Sequence, residues 1–405
     1  MPARRGDRTK DMLRQDRPNW ILLIAVAAIG LNLRPFLTSI GPLVEDISVA
    51  TGLGSYGIAS LTFVPMALMG CLAFLGPALQ RLAGARRVLI TSLVIVCIGT
   101  LSRLFVTSAW VMVASAAVTG LGVAIVQAIF PGVIKQLFPG CVAFVMGLYS
   151  AMLLGGGAIG AQIPPMIAAW TGDWRIGLGS LAILGVLAVS LVWFALPGGN
   201  VPAPERNIVG TLLGRPRTWL LMIFFGLANG GYSSVVAWLA SYYREHGWTA
   251  STSGSLLAIM AICQAFAALA VPMLASRTGR DHRPWLWLTL ACQFIGFSGF
   301  ALAPDAAPFL FVVLTGMGFG GCFALSLVVT LDHFSDPARA GALSALVQGG
   351  GFLLTALPPL IVSSLHDLTG GFEAGWKWHM GAIAVAAILS VRFSPKRYDR
   401  SWQCP

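Results

Sequence analysis

Twelve apolar runs partition this chain, with cores near residues 20–44, 55–79, 88–105, 110–134, 142–168, 175–196, 218–243, 252–275, 285–302, 307–331, 340–365 and 376–393. Runs of this length carry a helix across a hydrocarbon core of roughly 30 Å at about 1.5 Å per residue. Composition excludes a soluble fold, because 57% hydrophobic and 10% charged residues leave too little charge for a water-facing surface. The expectation is an all-α polytopic membrane protein of twelve transmembrane helices. The 405 residues leave no long polar stretch for a second, soluble domain, and the first run is too long for a cleaved signal.

The runs are not independent of one another. Gly30-Leu31 matches Gly226-Leu227, Thr38 matches Ser234, Arg81 matches Arg277, and Arg87 matches Arg283, all at an offset of 196. Thr119-Gly120-Leu121-Gly122 matches Thr315-Gly316-Met317-Gly318 at the same offset. After a two-residue slip, Ser150-Ala151, Gly155 to Gly157 and Pro164-Pro165 match Ser344-Ala345, Gly349 to Gly351 and Pro358-Pro359 at 194. Six runs per repeat give both halves one orientation, the parallel plan of many secondary transporters. The expected organisation is an N-tail (1–19), a six-helix bundle (20–196), a Pro- and Gly-containing linker (197–217), a second six-helix bundle (218–393) and a C-tail (394–405).

Charge sets the orientation. Twenty-one lysines and arginines fall in the two tails and the even-numbered loops, against Arg103, Arg175, Arg244 and Lys377 on the other side. By the positive-inside rule both termini face the cytoplasm, so the net charge of +11 reports topology and not nucleic-acid binding. Seven cysteines without a CxxC pair read as packing residues or free thiols, not as a disulfide frame or metal site.

Inside the first run stands Arg34, followed by Pro35. An arginine at that depth costs about 2.5 to 3.5 kcal/mol on insertion scales, so it must face a bundle interior, a wet cavity or a partner. Pro35 removes one helix hydrogen bond and clashes with the carbonyl of Leu31, which predicts a kink and a freed acceptor beside the guanidinium. No Asp or Glu lies deep in any run, so Arg34 suits an anionic ligand; the plainer alternative is that it binds the freed carbonyls. Thr38 lies one turn along. The repeat maps Arg34 onto Gly230 and Phe36 onto Tyr232, which sets Asn229 and Tyr232 opposite the charge. Gln127, Tyr149, Gln264 and Gln348 complete the candidate substrate-binding set by polarity, although a lone glutamine in a span is more often a packing hydrogen bond. The glycine clusters serve either close packing or a moving interface.

Between the second and third runs, Gly76-Pro77-Ala78-Leu79-Gln80-Arg81-Leu82-Ala83-Gly84-Ala85-Arg86-Arg87 resembles the cytoplasmic loop signature of the major facilitator superfamily, with Gln80 where the signature has an acid. Ser276 through Arg283 is a weaker copy. The resemblance implies that Arg81, Arg86, Arg87, Arg277 and Arg283 hold the cytoplasmic ends of the halves together in one state. It also implies that the helices bearing the polar residues line a central cavity. Gly30 through Leu43 is similar to the first-helix signature of the cyanate permease and 2-nitroimidazole transporter family within that superfamily. Further likeness lies in Gln127 to Lys135, Met146 to Ala151, Asn229 to Tyr232, Gly254 to Ala258 and Leu331 to His333, closer to the cyanate branch. The family implies a bacterial inner-membrane secondary transporter of a small anion, cyanate first, working by alternating access around Arg34. The alternative it implies is a carrier or exporter of a small neutral or weakly acidic compound such as a nitroimidazole.

Other classes lack their requirements. A membrane enzyme needs a constellation such as paired carboxylates or a His-rich metal set, and the five histidines are scattered; a sensor without transport normally carries a soluble output domain. No cofactor or metal is expected, and the expected partners are the solute and the bilayer, with a monomeric carrier and no nucleic acid. Proton coupling has only Glu45, Asp332 and His333 (with Asp46) at span ends to draw on, so exchange or facilitated movement ranks ahead of carboxylate-relayed symport.

Overall fold

A computed structural model describes residues 20–196, 207–248 and 250–397, which are helix and turn with no strand. Expectations for residues 1–19, 197–206 and 398–405, and for the Glu45 side chain, lie outside the described residues. The first half runs α1 (Trp20–Leu31), α2 (Pro35–Thr38), α3 (Val44–Thr51), α4 (Ser55–Leu72), α5 (Gly76–Ala83), α6 (Ala85–Leu101), α7 (Ala109–Leu137), α8 (Val142–Thr171), α9 (Trp174–Ser180) and α10 (Ala182–Ala195). After α11 (Ile208–Leu213), the second half runs α12 (Pro216–Glu245), α13 (Ala250–Arg277), α14 (Arg283–Leu302), α15 (Pro308–Leu331), α16 (Pro337–Thr355), α17 (Pro358–Thr369) and α18 (Glu373–Ser390).

Among the described residues, eleven segments are long and apolar enough to cross a membrane, several of them built from two consecutive helices. The expected twelfth span is α18, which opens on Glu373 and carries Lys377, and packs against α12 and α14. Proline starts many of these helices because the first turn needs no N–H from it; Pro216, Pro308, Pro337 and Pro358 all sit there. At the far end of α8, Gly172 adopts φ +75°, the left-handed stop that glycine takes without strain. Asp173 then caps α9 by accepting from the Arg175 N–H at 2.8 Å.

The repeat is visible as packing. In each half the first helix lies on the fifth (α1 on α8; α12 on α16), and the second on the fourth (α4 on α7; α13 on α15). The third helix contacts the fourth and sixth, as α6 does with α7 and α10, and α14 with α15 and α18. Between halves, α8 meets α13 and α15, while α16 meets α4 and α7.

One end of the bundle gathers basic residues. There Arg217 meets the Arg392 carbonyl at 2.8 Å, Arg86 the Trp193 carbonyl at 2.6 Å, and Arg283 the Val391 carbonyl at 3.4 Å. The opposite end is tied by Arg175 to the Val106 carbonyl at 2.8 Å and by Tyr243 to the Pro304 carbonyl at 3.2 Å.

Two expectations are corrected. The signature read as a loop at 76–87 is mostly helix: α5 continues the second span and α6 starts at Ala85, so the turn shrinks to Gly84 at φ +78°. The eleventh span, read as continuous over 340–365, breaks between α16 and α17, where Pro358 cannot extend the hydrogen-bond ladder of α16.

Candidate substrate cavity

The Arg34 site begins with a break, which goes further than the kink the sequence predicts. α1 closes in a tight turn, with Asn32 N–H bonded to Ile29 O at 3.1 Å and Leu33 N–H to Gly30 O at 3.0 Å. Pro35 has no N–H, so the ladder restarts only in α2. Glycines on α8 receive the exposed backbone: a Cβ at Gly156 would run into the Leu31 carbonyl, and one at Gly160 into Pro35.

Two polar side chains clamp this break. Asn32 donates to Ala28 O at 2.8 Å and to Leu184 O at 2.9 Å, tying α1 to α10. Arg103, fully buried at the end of the third span, donates to Phe36 O at 3.1 Å. Arg103 thus holds a carbonyl just past Pro35, while the Leu31 carbonyl that Pro35 leaves without its helix donor lies against Gly156. Arg34 is 6% exposed, its Nε has no hydrogen-bond partner among the described residues, and no acid pairs with it there. Its guanidinium instead lies 5.7 Å from the centre of the Tyr232 ring, across the seam between halves.

Arg34 opens onto a small cavity whose polar lining is Asn229, Tyr232, Ser233, Gln264 and Thr355. Met66, Leu154, Phe323 and Phe352 form its apolar walls, so Arg34 is the one charged group in the described lining. Asn229 is held by a bond from Nδ2 to Phe225 O at 2.9 Å. Ser233 donates to Gly230 O at 2.8 Å and to Thr355 O at 2.7 Å, pinning α12 to the end of α16.

Of the sequence-derived set, the structure brings Arg34, Asn229, Tyr232 and Gln264 to this cavity. It does not bring Thr38, whose hydroxyl turns back to Arg34 O and Pro35 O at 3.4 and 3.3 Å. Gln127, Tyr149 and Gln348 lie instead in a buried layer between α7, α8 and α16. Gln348 Nε2 donates across the seam to Gln127 O at 3.1 Å, and the Tyr149 hydroxyl lies beside the Gln127 amide and within electrostatic reach of Arg34.

The basic end is closed. A Cβ on Gly132 would sit 2.7 Å from the Gly341 Cα, so α7 and α16 touch backbone to backbone. Lys135 donates to Leu331 O and, at 2.5 Å, to Phe334 O, capping the C-terminus of α15 from the other half. Two of the arginines expected to form a latch also bond at this end. Arg86 stacks on Trp193 and Arg283 grips Asp281, with Nη2 to Oδ2 at 2.6 Å, each within its own half; that grip holds the Asp281 carboxyl below its usual range. Arg87 and Arg277 are exposed and Arg81 is half-buried.

His333, one of the residues at span ends considered for coupling, has both ring nitrogens engaged at the basic end. Nδ1 lies 2.7 Å from Val329 O and must donate, while Nε2 accepts from Arg217 Nε at 3.0 Å. Burial first, then the neighbouring Arg217, push its pKa down to about 3, so it stays neutral at neutral pH. Asp332 sits 3.1 Å from His282 Nε2, at the basic end and away from the cavity lining.

Sequence reasoning missed Ser233 and Thr355 as lining and the burial of Arg103. Arg103 stands inside the apolar run 88–105, a signal that it is not a loop residue. Thr355 stands three residues before Pro358, where a break is foreseeable.

Two pseudo-repeated six-helix halves around a polar cavity at their seam define a secondary transporter. The chain belongs to the Major Facilitator Superfamily, whose description matches residues 20–359. It is 37% identical over 383 residues to the cyanate transport protein CynX of Escherichia coli (strain K12), covering 94% of this chain and 99% of that one. It is 26% identical to the 2-nitroimidazole transporter of the same organism, covering 93% and 95%. Among solved structures, a variant of the Escherichia coli fucose:proton symporter FucP superposes with TM-score 0.73 at 12% identity, covering 93% of this chain and all of that one. The proton:xylose symporter XylE gives TM-score 0.71 at 14% identity, covering 95% and 99%.

Proposed function

We propose that this transporter carries a small monovalent anion across the bacterial inner membrane, with cyanate as first substrate, by alternating access around Arg34. The observation that carries the reading is Arg34 itself: a buried cation without an acid partner among the described residues, alone in charge at the cavity. One positive charge matches one negative charge, and a divalent ion would remain half-compensated. The cavity suits a solute of a few atoms, and the similarity to a cyanate transport protein supports the choice. Asn229, Tyr232 and Gln264 supply neutral groups opposite the charge.

With the positive-inside bias, the basic end and both termini face the cytoplasm, and the two bundles at 20–196 and 218–393 act as the moving bodies. The closed basic end then makes this the outward-facing state. The carrier acts as a monomer. With no carboxylate in the described cavity lining, exchange or facilitated movement ranks ahead of carboxylate-relayed symport.

The test is uptake of radiolabelled cyanate into proteoliposomes by the purified protein and by Arg34→Lys. An ammonium cannot reproduce the planar fork of guanidinium, so Arg34→Lys is expected to lose at least about tenfold in uptake while folding normally. Normal uptake by Arg34→Lys rules the site out. The apolar walls at Met66, Leu154, Phe323 and Phe352 favour one alternative, a flat nitroimidazole; in that case 2-nitroimidazole is moved, cyanate is not, and Arg34→Lys is nearly silent.

A further inference from the structure

Below the cavity, toward the basic end, lies a layer of polar side chains buried from solvent and largely without partners. Tyr149 and Ser150 on α8 stand one turn before Leu154, and Gln348 on α16 one turn before Phe352; Leu154 and Phe352 are cavity walls. Gln127 on α7 faces them. All four are at most 2% exposed. The Ser150 hydroxyl and the Gln127 and Gln348 amide oxygens have no hydrogen-bond partner among the described residues, and the Tyr149 hydroxyl has only the Gln127 amide beside it. A buried polar atom left unpaired costs stability, which is a poor arrangement for groups whose only task is packing. Immediately beyond the layer come the Gly132–Gly341 contact and the Lys135 cap that shut the basic end.

We infer that this layer is a second anion station, built for the opposite state, in which the solute rests after leaving Arg34 and before release at the basic end. The inference rests on the carrier reading of Arg34. The one bond that spans the layer, Gln348 Nε2 to Gln127 O at 3.1 Å, joins the two halves and must break when they part. Parting then exposes a hydroxyl pair and two carboxamides, all able to donate to an anion and none carrying charge. Neutral donors hold an anion less tightly than Arg34 does, which is what a release site needs. Tyr149, within electrostatic reach of Arg34, links the two stations.

The test separates the two faces of the carrier. Half-saturation for radiolabelled cyanate is measured from each face of oriented proteoliposomes, for the wild-type chain, Tyr149→Phe with Ser150→Ala, and Gln127→Leu. These changes remove atoms that in the closed-basic-end state have at most the weak Tyr149–Gln127 contact, so melting temperature should change little and cavity-face half-saturation should stay within about twofold of wild type. Half-saturation from the basic face should rise about tenfold, the loss of one hydrogen bond to a charged solute. An equal change on both faces, or none on either, overturns the second station. Arg34→Gln serves as the control for the underlying reading: it must weaken both faces, and unchanged transport there overturns the primary site and the station together.

Discussion

Arg34 and Arg103 are both arginines buried at one helix break, and their surroundings assign them opposite work. Arg103 holds Phe36 O, so Arg103→Gln should lower stability in detergent by about 1–3 kcal/mol, read as a reduced melting temperature. Arg34→Gln should leave that temperature nearly unchanged while abolishing cyanate uptake; equal melting losses in both would remove the distinction. His333 carries a pH signature. Its unfolded form takes up a proton near pH 6.5 and its folded form only near 3, so the unfolded state binds more protons between those values. Stability is therefore full above about pH 6.5 and falls as pH drops, by ~2 kcal/mol at pH 5. His333→Gln should flatten that part of the melting-temperature profile, and an unaltered profile would discard the assignment. Arg34 was legible because a charge in an apolar run stands out. Met66, Leu154, Phe323 and Phe352 were not, since helices apolar on every side do not reveal which face meets a cavity.

At the scale of elements, the break between α1 and α2 depends on the glycines across from it. Gly156 and Gly160 face Leu31 and Pro35, whose backbone cannot yield, whereas Gly155 points into open space. Gly155→Ala should be neutral or gain up to about 1 kcal/mol of helix propensity. Gly160→Ala and Gly156→Ala should lower expression of folded protein and uptake together, and fluorescence size-exclusion profiles with flux assays would show it. If all three variants behave alike, the seating of the break is misassigned. The sequence displays Gly155 to Gly157 as one cluster; only packing separates the glycine that seats a carbonyl from its idle neighbour. The break was foreseeable from Pro35, but the partners that secure it, Asn32 and Arg103, were not, because they reach in from residues far along the chain.

The whole molecule was the most legible level. A register held over five helices implies equal packing in both halves, and α1 on α8 does correspond to α12 on α16. Which end is shut was not legible, since closure comes from Gly132 meeting Gly341 and Lys135 reaching α15, contacts between halves that no periodicity announces. Lys135→Met removes the donor that caps α15 and should shift the population toward an open basic end. Spin labels at the basic ends of α7 and α16 should report a longer mean distance, and an unchanged distribution would mean that glycine packing alone keeps that end closed.

A lone arginine at the cavity also decides where voltage acts. Loaded with a monovalent anion, the site is close to neutral; empty, it carries one positive charge. A membrane potential therefore does its work on the return of the empty carrier, at most about 2.3 kcal/mol per 100 mV if the site's access crosses the whole field. A negative interior holds the empty site facing inward and slows net uptake, whereas exchange of one anion for another bypasses that step. Net flux should respond steeply to an imposed potential and one-for-one exchange hardly at all, so the electrical behaviour of the carrier follows from Arg34 having no acid beside it among the described residues.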